Sequence, residues 1–178
     1  VTGVEIRPVV AADRSTLDDF FRRIPEGDRT LFKEDVLAPA TGTVWTSDRH
    51  GRRLAAVDGD VIVGCAAVIP GLEWSSHVGE LRVVVDPDHR RKGVGRALAR
   101  RGLLEALDLR LVKIVVEVIA DQAPAIALFR ALGFEPEALL RDHVRDRAGN
   151  LHDLMVLSHD VEDRWSQIST VGIDDALP

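Results

Sequence analysis

Between positions 83 and 100 the chain reads VVVDPDHRRKGVGRALAR, and this stretch limits the fold more than any other. A β-branched run suits an extended strand, and Pro87, which has no N–H to give a ladder, closes it. Four basic residues follow (Arg90, Arg91, Lys92 and Arg96), with glycines at 93 and 95. From Val94 the apolar residues recur at helical spacing through Leu98, Leu103, Leu104 and Leu107. The chain must therefore pass from strand to helix within one short glycine loop. The first N–H groups of a helix have no intrahelical acceptor, and the helix dipole adds partial positive charge there. Such a junction suits an anion, and Gly93 and Gly95 omit the Cβ atoms that would keep a phosphate away from the amides. A basic, exposed turn with glycines for shape alone is the competing reading. The loop is not the G-x-x-x-x-G-K-[ST] of a P-loop. Nor is it G-x-G-x-x-G with an acid at the end of the next strand, as in a dinucleotide fold.

The elements around the loop place it in a mixed sheet. VEIRPVV alternates and predicts a first strand. In ADRSTLDDFFRRI, Leu17, Phe20, Phe21 and Ile24 fall at helical spacing, with Asp13 or Ser15 available as a cap. PEGDRTLFKEDV predicts a second short helix, and residues 38–51, rich in Pro, Gly, Thr and Ser, predict a loop. RRLAAVDGDVIVGCAAVIP is a hairpin around Asp58-Gly59. GELRVVVDP and VKIVVEVIA are strands on either side of the long helix. APAIALFRALGF is a helix ended by Gly133, and EALLRDHVRDRAGNLHDLMVLSHDV is a strand pair about Ala148-Gly149-Asn150. The order predicts an α/β (α+β) fold with helices packed on a mixed sheet. With 178 residues, one domain over residues 1–160 is expected, followed by a tail over residues 161–178, disordered or packed on a partner.

Composition narrows the function. A net charge of -6 argues against non-specific nucleic-acid binding, so no nucleic-acid partner is expected. The single cysteine, Cys65, allows no internal disulfide and lies in the apolar run VIVGCAAVI, which predicts a buried structural thiol in a reducing compartment. No apolar run reaches a membrane span, and the N-terminus lacks a basic-then-apolar signal pattern, so a soluble, cytoplasmic protein without a membrane partner is expected. His77, His89, His143 and His152 have no metal-ligand spacing, and no metal is expected. The stretch WSSH, Trp74 to His77, either lines an acceptor site or, as a lone tryptophan usually does, packs.

Arg90-Arg91-Lys92-Gly93-Val94-Gly95 resembles the [RQ]-x-x-G-x-[GA] pyrophosphate loop of the GCN5-related N-acetyltransferase (GNAT) superfamily. VEVIADQAPAIALFRALGF resembles that superfamily's second block, and the two blocks follow in the family's order across residues 80–134. The resemblance implies a GNAT-like, mixed and mostly antiparallel sheet with splayed central parallel strands and helices on both faces. It implies acetyl-CoA as co-substrate, lying in the splay. Backbone groups of Val83, Val84 and Val85 would hold the pantetheine arm as an added strand would, with a bulge freeing one N–H for the thioester carbonyl. The amides from Arg91 through Lys92, Gly93, Val94 and Gly95 to Arg96 would hold the pyrophosphate. Gln122 stands where the family usually has asparagine near the pantetheine. Phe129 stands where the family often has a tyrosine that protonates the departing sulfur. The chain contains no tyrosine, so no phenol acid is assigned, and Phe129 keeps a packing role by the cofactor.

The resemblance also implies chemistry: direct transfer of acetyl to a primary amine, on a small molecule or a protein, in a ternary complex. Lysine-type amines have a pKa of about 10.4 and must lose a proton before attack. Glu80 resembles the base of histone-type members, and Glu117 that of some protein N-terminal acetyltransferases. A carboxylate paired with Arg82 is the structural reading of either. A covalent route through Cys65 ranks low. The alternative function is a non-catalytic acyl-CoA-binding sensor, which the missing tyrosine favours. A homodimer, frequent in the superfamily, is left open.

Overall fold

A computed structural model of the chain describes residues 3–29, 32–38, 41–47 and 50–161. Seven strands lie in one sheet in the order β1-β2-β3-β4-β5-β7-β6. They are β1 (Val4–Pro8), β2 (Arg52–Asp58), β3 (Val61–Pro70), β4 (Val78–Val85), β5 (Lys113–Ile119), β6 (Glu135–Arg145) and β7 (Leu151–Asp160). Every neighbouring pair is antiparallel except β4 and β5, which are parallel. The helices are α1 (Arg14–Arg23), α2 (Glu26–Arg29), α3 (Thr41–Ser47), α4 (Val94–Asp108) and α5 (Ala123–Arg130).

The two-residue period of the strands divides the core in two. Ala55, Val57, Cys65, Ala67 and Val84 meet Leu17, Phe20 and Phe21 from α1, Ile24 just after it, and Trp45 from α3. Leu54, Ala56, Ala66, Val68 and Leu81, on the opposite face, meet Val94, Leu98, Ala99 and Leu103 from α4, and Phe129 of α5 joins that second core. Helices thus cover both faces, as the family pattern implies. Glycines let α4 lie close to the sheet: a Cβ on Gly64 would stand 2.9 Å from Leu98 Cδ1, and one on Gly102 only 2.6 Å from Leu81 Cδ1. This close packing fixes the start of α4 beside the end of β4.

Three local expectations are corrected. Residues 41–47 form α3 rather than loop, because Trp45 puts its indole edge-on to Phe21 at 5.3 Å. Tertiary burial outweighs the weak helix propensity of Thr, Gly and Ser here. The second helix is one turn, Glu26–Arg29, and Phe32 beyond it packs edge-on to Phe21 at 5.4 Å. Asp13 does not cap α1 with its side chain. Its carboxylate takes two 2.7 Å hydrogen bonds from Arg7 and one of 2.8 Å from the Val10 N–H. The expected tail beyond residue 161 lies outside the described residues.

The feature that defines the site is the short contact between β4 and β5. They pair only at Val78–Lys113, Gly79–Ile114 and Glu80–Val115. β4 continues to Val85 on β3, and β5 continues to Ile119 on β7. The two central strands therefore part after Glu80.

Candidate active site

The splay and the glycine loop are both consequences of β4. At the end of the strand the Asp86 carboxylate takes the Asp88 N–H at 3.0 Å, which turns the chain through Pro87–His89. Arg91 and Gly93 then adopt positive φ, 57° and 88°. Two left-handed residues separated by one aim consecutive amides into the same concavity. The α4 ladder begins where the Ala97 N–H meets the Gly93 carbonyl at 3.0 Å, so the N–H groups of Val94, Gly95 and Arg96 precede it. The two glycines serve different ends. Gly93 supplies the left-handed turn into the helix. At Gly95 a Cβ would meet only ordinary contacts, Val85 Cγ2 at 3.6 Å and Leu128 Cδ2 at 3.7 Å, so the fold does not demand glycine there. The bare amides, the missing Cβ at Gly95 and the exposed Arg91, Lys92 and Arg96 fit a diphosphate. Arg90 is otherwise engaged: its Nε donates to the Val85 carbonyl at 3.1 Å and its guanidinium pairs with Asp28 at 2.6 Å.

Ladder parity assigns the strand backbones. Hydrogen-bonded pairs alternate along an antiparallel ladder. Gly71 N–H to Val78 O at 2.7 Å and Asp86 N–H to Val63 O at 3.0 Å mark the β3 side at both ends of β4. By that alternation Glu80, Arg82 and Val84 turn their backbone groups to β3, while Leu81, Val83 and Val85 turn theirs into the splay. On β5 the bonds Ala120 N–H to Asp153 O and Val161 N–H to Val112 O fix the same alternation against β7, which leaves Glu117 and Ile119 facing the splay. The expected bulge is absent from β4, whose register on β3 runs unbroken from Gly79 to Val85. The free edge comes from strand separation instead. A register shift lies one strand over, between β2 and β3, and two more lie between β6 and β7.

The acids gather on one face of the sheet. Glu80, Arg82 and Glu117 converge on the α1 face of the splay with Lys33, a residue that the sequence reading did not single out. The Lys33 Nζ lies 2.6 Å from Glu80 Oε1 and 2.6 Å from Glu117 Oε2. Arg82 grips Glu80 with two hydrogen bonds, 3.0 Å from Nε and 2.9 Å from the guanidinium terminus, and donates a third to the Phe32 carbonyl at 3.2 Å. Burial works against ionisation of Glu80, yet the hydrogen bonds from Arg82 and Lys33 prevail and hold its pKa below the ordinary carboxylate value. Glu80 and Glu117 are thus brought together, through one ammonium group.

The remaining expected residues scatter. Gln122 precedes α5 and takes the Ala125 and Ile126 amides on its backbone carbonyl. Phe129 is buried with its ring edge-on to Phe134 at 5.3 Å. Cys65 is buried, and burial pushes its thiol pKa far up, which leaves it no thiolate for covalent transfer. The packing expected of Trp74 is corrected: it sits in a 3-10 turn between β3 and β4 and is 92% exposed. His152 pairs with Asp146 at 3.0 Å, while Asp153 accepts the Asp142 N–H at 2.9 Å. A groove of about 350 Å³ lined by Pro8, Trp45, Arg52 and their neighbours shares no residue with the cluster at the splay.

The chain belongs to the acetyltransferase (GNAT) family, whose model matches residues 14–134. It is 30% identical over 171 residues to phosphinothricin N-acetyltransferase of Streptomyces viridochromogenes, covering 89% of this chain and 88% of that one. It is 35% identical over 95 residues to the L-amino acid N-acetyltransferase AaaT of Escherichia coli, covering 51% of this chain and 58% of that one. The match thus spans little more than half the length of the second relative. The ribosomal-protein-alanine N-acetyltransferase of Brucella melitensis shares the fold with a TM-score of 0.77 and 25% identity, covering 88% of this chain and 99% of that one. Among the described residues no helix is long and apolar enough to cross a membrane.

Proposed function

We propose that the protein is an acetyl-CoA-dependent N-acetyltransferase that moves the acetyl group to a primary amine by direct attack in a ternary complex. One observation carries the reading: β4 ends in an amide cradle, begins beside two carboxylates, and has a free backbone edge between them. The N-acetyltransferase names of the relatives support an amine acceptor.

In this reading the amides of residues 91–96 hold the pyrophosphate. Leu81 and Val83, with the N–H of Val85, receive the pantetheine on their backbone edge, the Val85 carbonyl already accepting from Arg90 Nε, and an N–H of that edge polarises the thioester carbonyl. Val84 contributes its side chain to the core beneath. A carboxylate takes the amine proton. Glu117 is the better placed of the two, because Glu80 is committed to Arg82 through both oxygens. No phenol is needed on departure, since a thiol pKa of about 8.5 makes the thiolate a tolerable leaving group near neutrality. Phe129 stays in the core behind the site.

The test is a panel of amines with acetyl-CoA and longer acyl-CoAs, read as free thiol, alongside calorimetry of acetyl-CoA binding. Amine-dependent thiol release is expected, and the double variant E80Q/E117Q is expected to lose it while still binding acetyl-CoA. Binding without thiol release to any amine would establish the sensor reading instead, for which Phe129 in place of a phenol is the one favouring observation.

A further inference from the structure

We propose that Lys33 is itself an acceptor, acetylated on Nζ within its own chain at the Glu80–Glu117 cluster. The inference rests on the acetyltransferase reading above. An external amine must come within hydrogen-bond reach of the base that deprotonates it. Lys33 Nζ already meets that condition, at 2.6 Å from both candidate carboxylates, on the two strands that part to form the splay.

The placement is built rather than incidental. The Phe32 ring is locked among Phe21 and Trp45, and its carbonyl takes a hydrogen bond from Arg82. The next residue, Lys33, is held at a φ of 59°, a left-handed conformation uncommon for a non-glycine residue. The aromatic core, the guanidinium and the turn together direct this side chain at the carboxylates, with 36% of it exposed to solvent. Residue choice points the same way. The chain has three lysines, Lys33, Lys92 and Lys113, against twenty arginines, and it closes its better-buried ion pairs with arginine, as in Arg7–Asp13, Arg23–Asp86 and Arg101–Glu105. Arginine is the better permanent partner for a carboxylate, whereas lysine is the cation that can give up its proton and become a nucleophile.

The step balances without any further reagent. The Nζ ammonium loses a proton to Glu117 or Glu80, and its lone pair forms the N–C bond to the thioester carbonyl. The C–S bond breaks with its electron pair on sulfur. The amine's second proton leaves as the amide forms, and one proton goes to the coenzyme A thiolate through solvent. The product is an uncharged acetyl-lysine, which releases both carboxylates from their shared cation.

The experiment incubates the full chain with acetyl-CoA and no amine, then follows intact mass and maps the modified peptide. The expected result is one acetyl group, on Lys33, added at least ten times faster than on Lys92 or Lys113, with a rate constant independent of protein concentration. K33R, which keeps the charge, is expected to remain unmodified over the same period, and heat-unfolded protein is expected to lose the preference for Lys33. Equal modification of all three lysines in the folded chain, or none on Lys33 while calorimetry detects acetyl-CoA binding and external amines release thiol, overturns the proposal and leaves the acetyltransferase reading standing. Absence of acetyl-CoA binding overturns both.

Discussion

Replacing Arg82 by methionine interrogates the site through both stability and pH. The change removes two hydrogen bonds to the Glu80 carboxylate and one to the Phe32 carbonyl. A hydrogen bond to a charged group contributes about 1.5–3 kcal/mol, and removing one partner of a fully buried pair costs about 3–5 kcal/mol. Here the Arg82 and Glu80 side chains keep 22% and 18% exposure, and Lys33 remains as a second partner of Glu80. The cost should therefore be about 2 kcal/mol, or a fall in Tm of about 4–8 °C for a chain of this length. Glu80 has a folded pKa below its ordinary value, so the stability it contributes is complete above the unfolded pKa of about 4.3 and disappears as pH falls through the folded one. The gap between wild type and R82M should accordingly narrow in acid. A cycle with E80Q and E80Q/R82M, measured by urea unfolding, should return a coupling of about 1 kcal/mol. The same variant separates the two candidate bases. Without Arg82 the burial of Glu80 is less opposed and its pKa rises, so the acid limb of kcat/KM moves to higher pH if Glu80 is the base and stays in place if Glu117 is. A Tm unchanged within about 1 °C, with no pH dependence of the difference, would show the Arg82–Glu80 pair to be energetically idle and refute the reasoning.

Gly93→Ala, which forces a Cβ onto a φ of 88°, should cost about 1–2 kcal/mol in unfolding free energy and weaken acetyl-CoA binding at least tenfold by calorimetry. Gly51→Ala should destabilise by about 2–3 kcal/mol without touching the splay, because its φ is 99° and the new Cβ would collide with the Val68 carbonyl oxygen; thermal unfolding checks this. Cys65 should ignore a thiol reagent in the native protein and react fully in denaturant, and C65A should keep its thiol-release rate with amines, since the thiol is buried on β3 away from the splay.

The parts of the molecule written in local residue chemistry were legible from the sequence, and those written in distant packing were not. The strand–glycine loop–helix junction, the Asp58-Gly59 hairpin and the Gly133 helix end each depend on a few adjacent residues, and each appears where expected, with Gly59 and Gly133 at positive φ. Helix α3 was hidden because its composition favours a loop and only the fit of Trp45 against Phe21 overrides it. The bulge expected in β4 was a way to free an N–H, and the structure frees the edge of β4 by strand separation instead. Glu80 and Glu117 were found as strand acids, but Lys33 lies 47 and 84 positions away from them and carries no local pattern that announces an encounter with either. Its rarity, as one of three lysines, was the one available signal.

The alternation along β4 has an outcome for solvent exchange. With Val84 bonded to β3 and its neighbours Val83 and Val85 open to the splay, deuterium should enter every second amide of this strand rapidly and the others slowly. A molecule laid along the cleft would even out that comb, slowing only the fast teeth. The distance over which they slow would measure how far the occupant extends from the glycine loop toward Glu80.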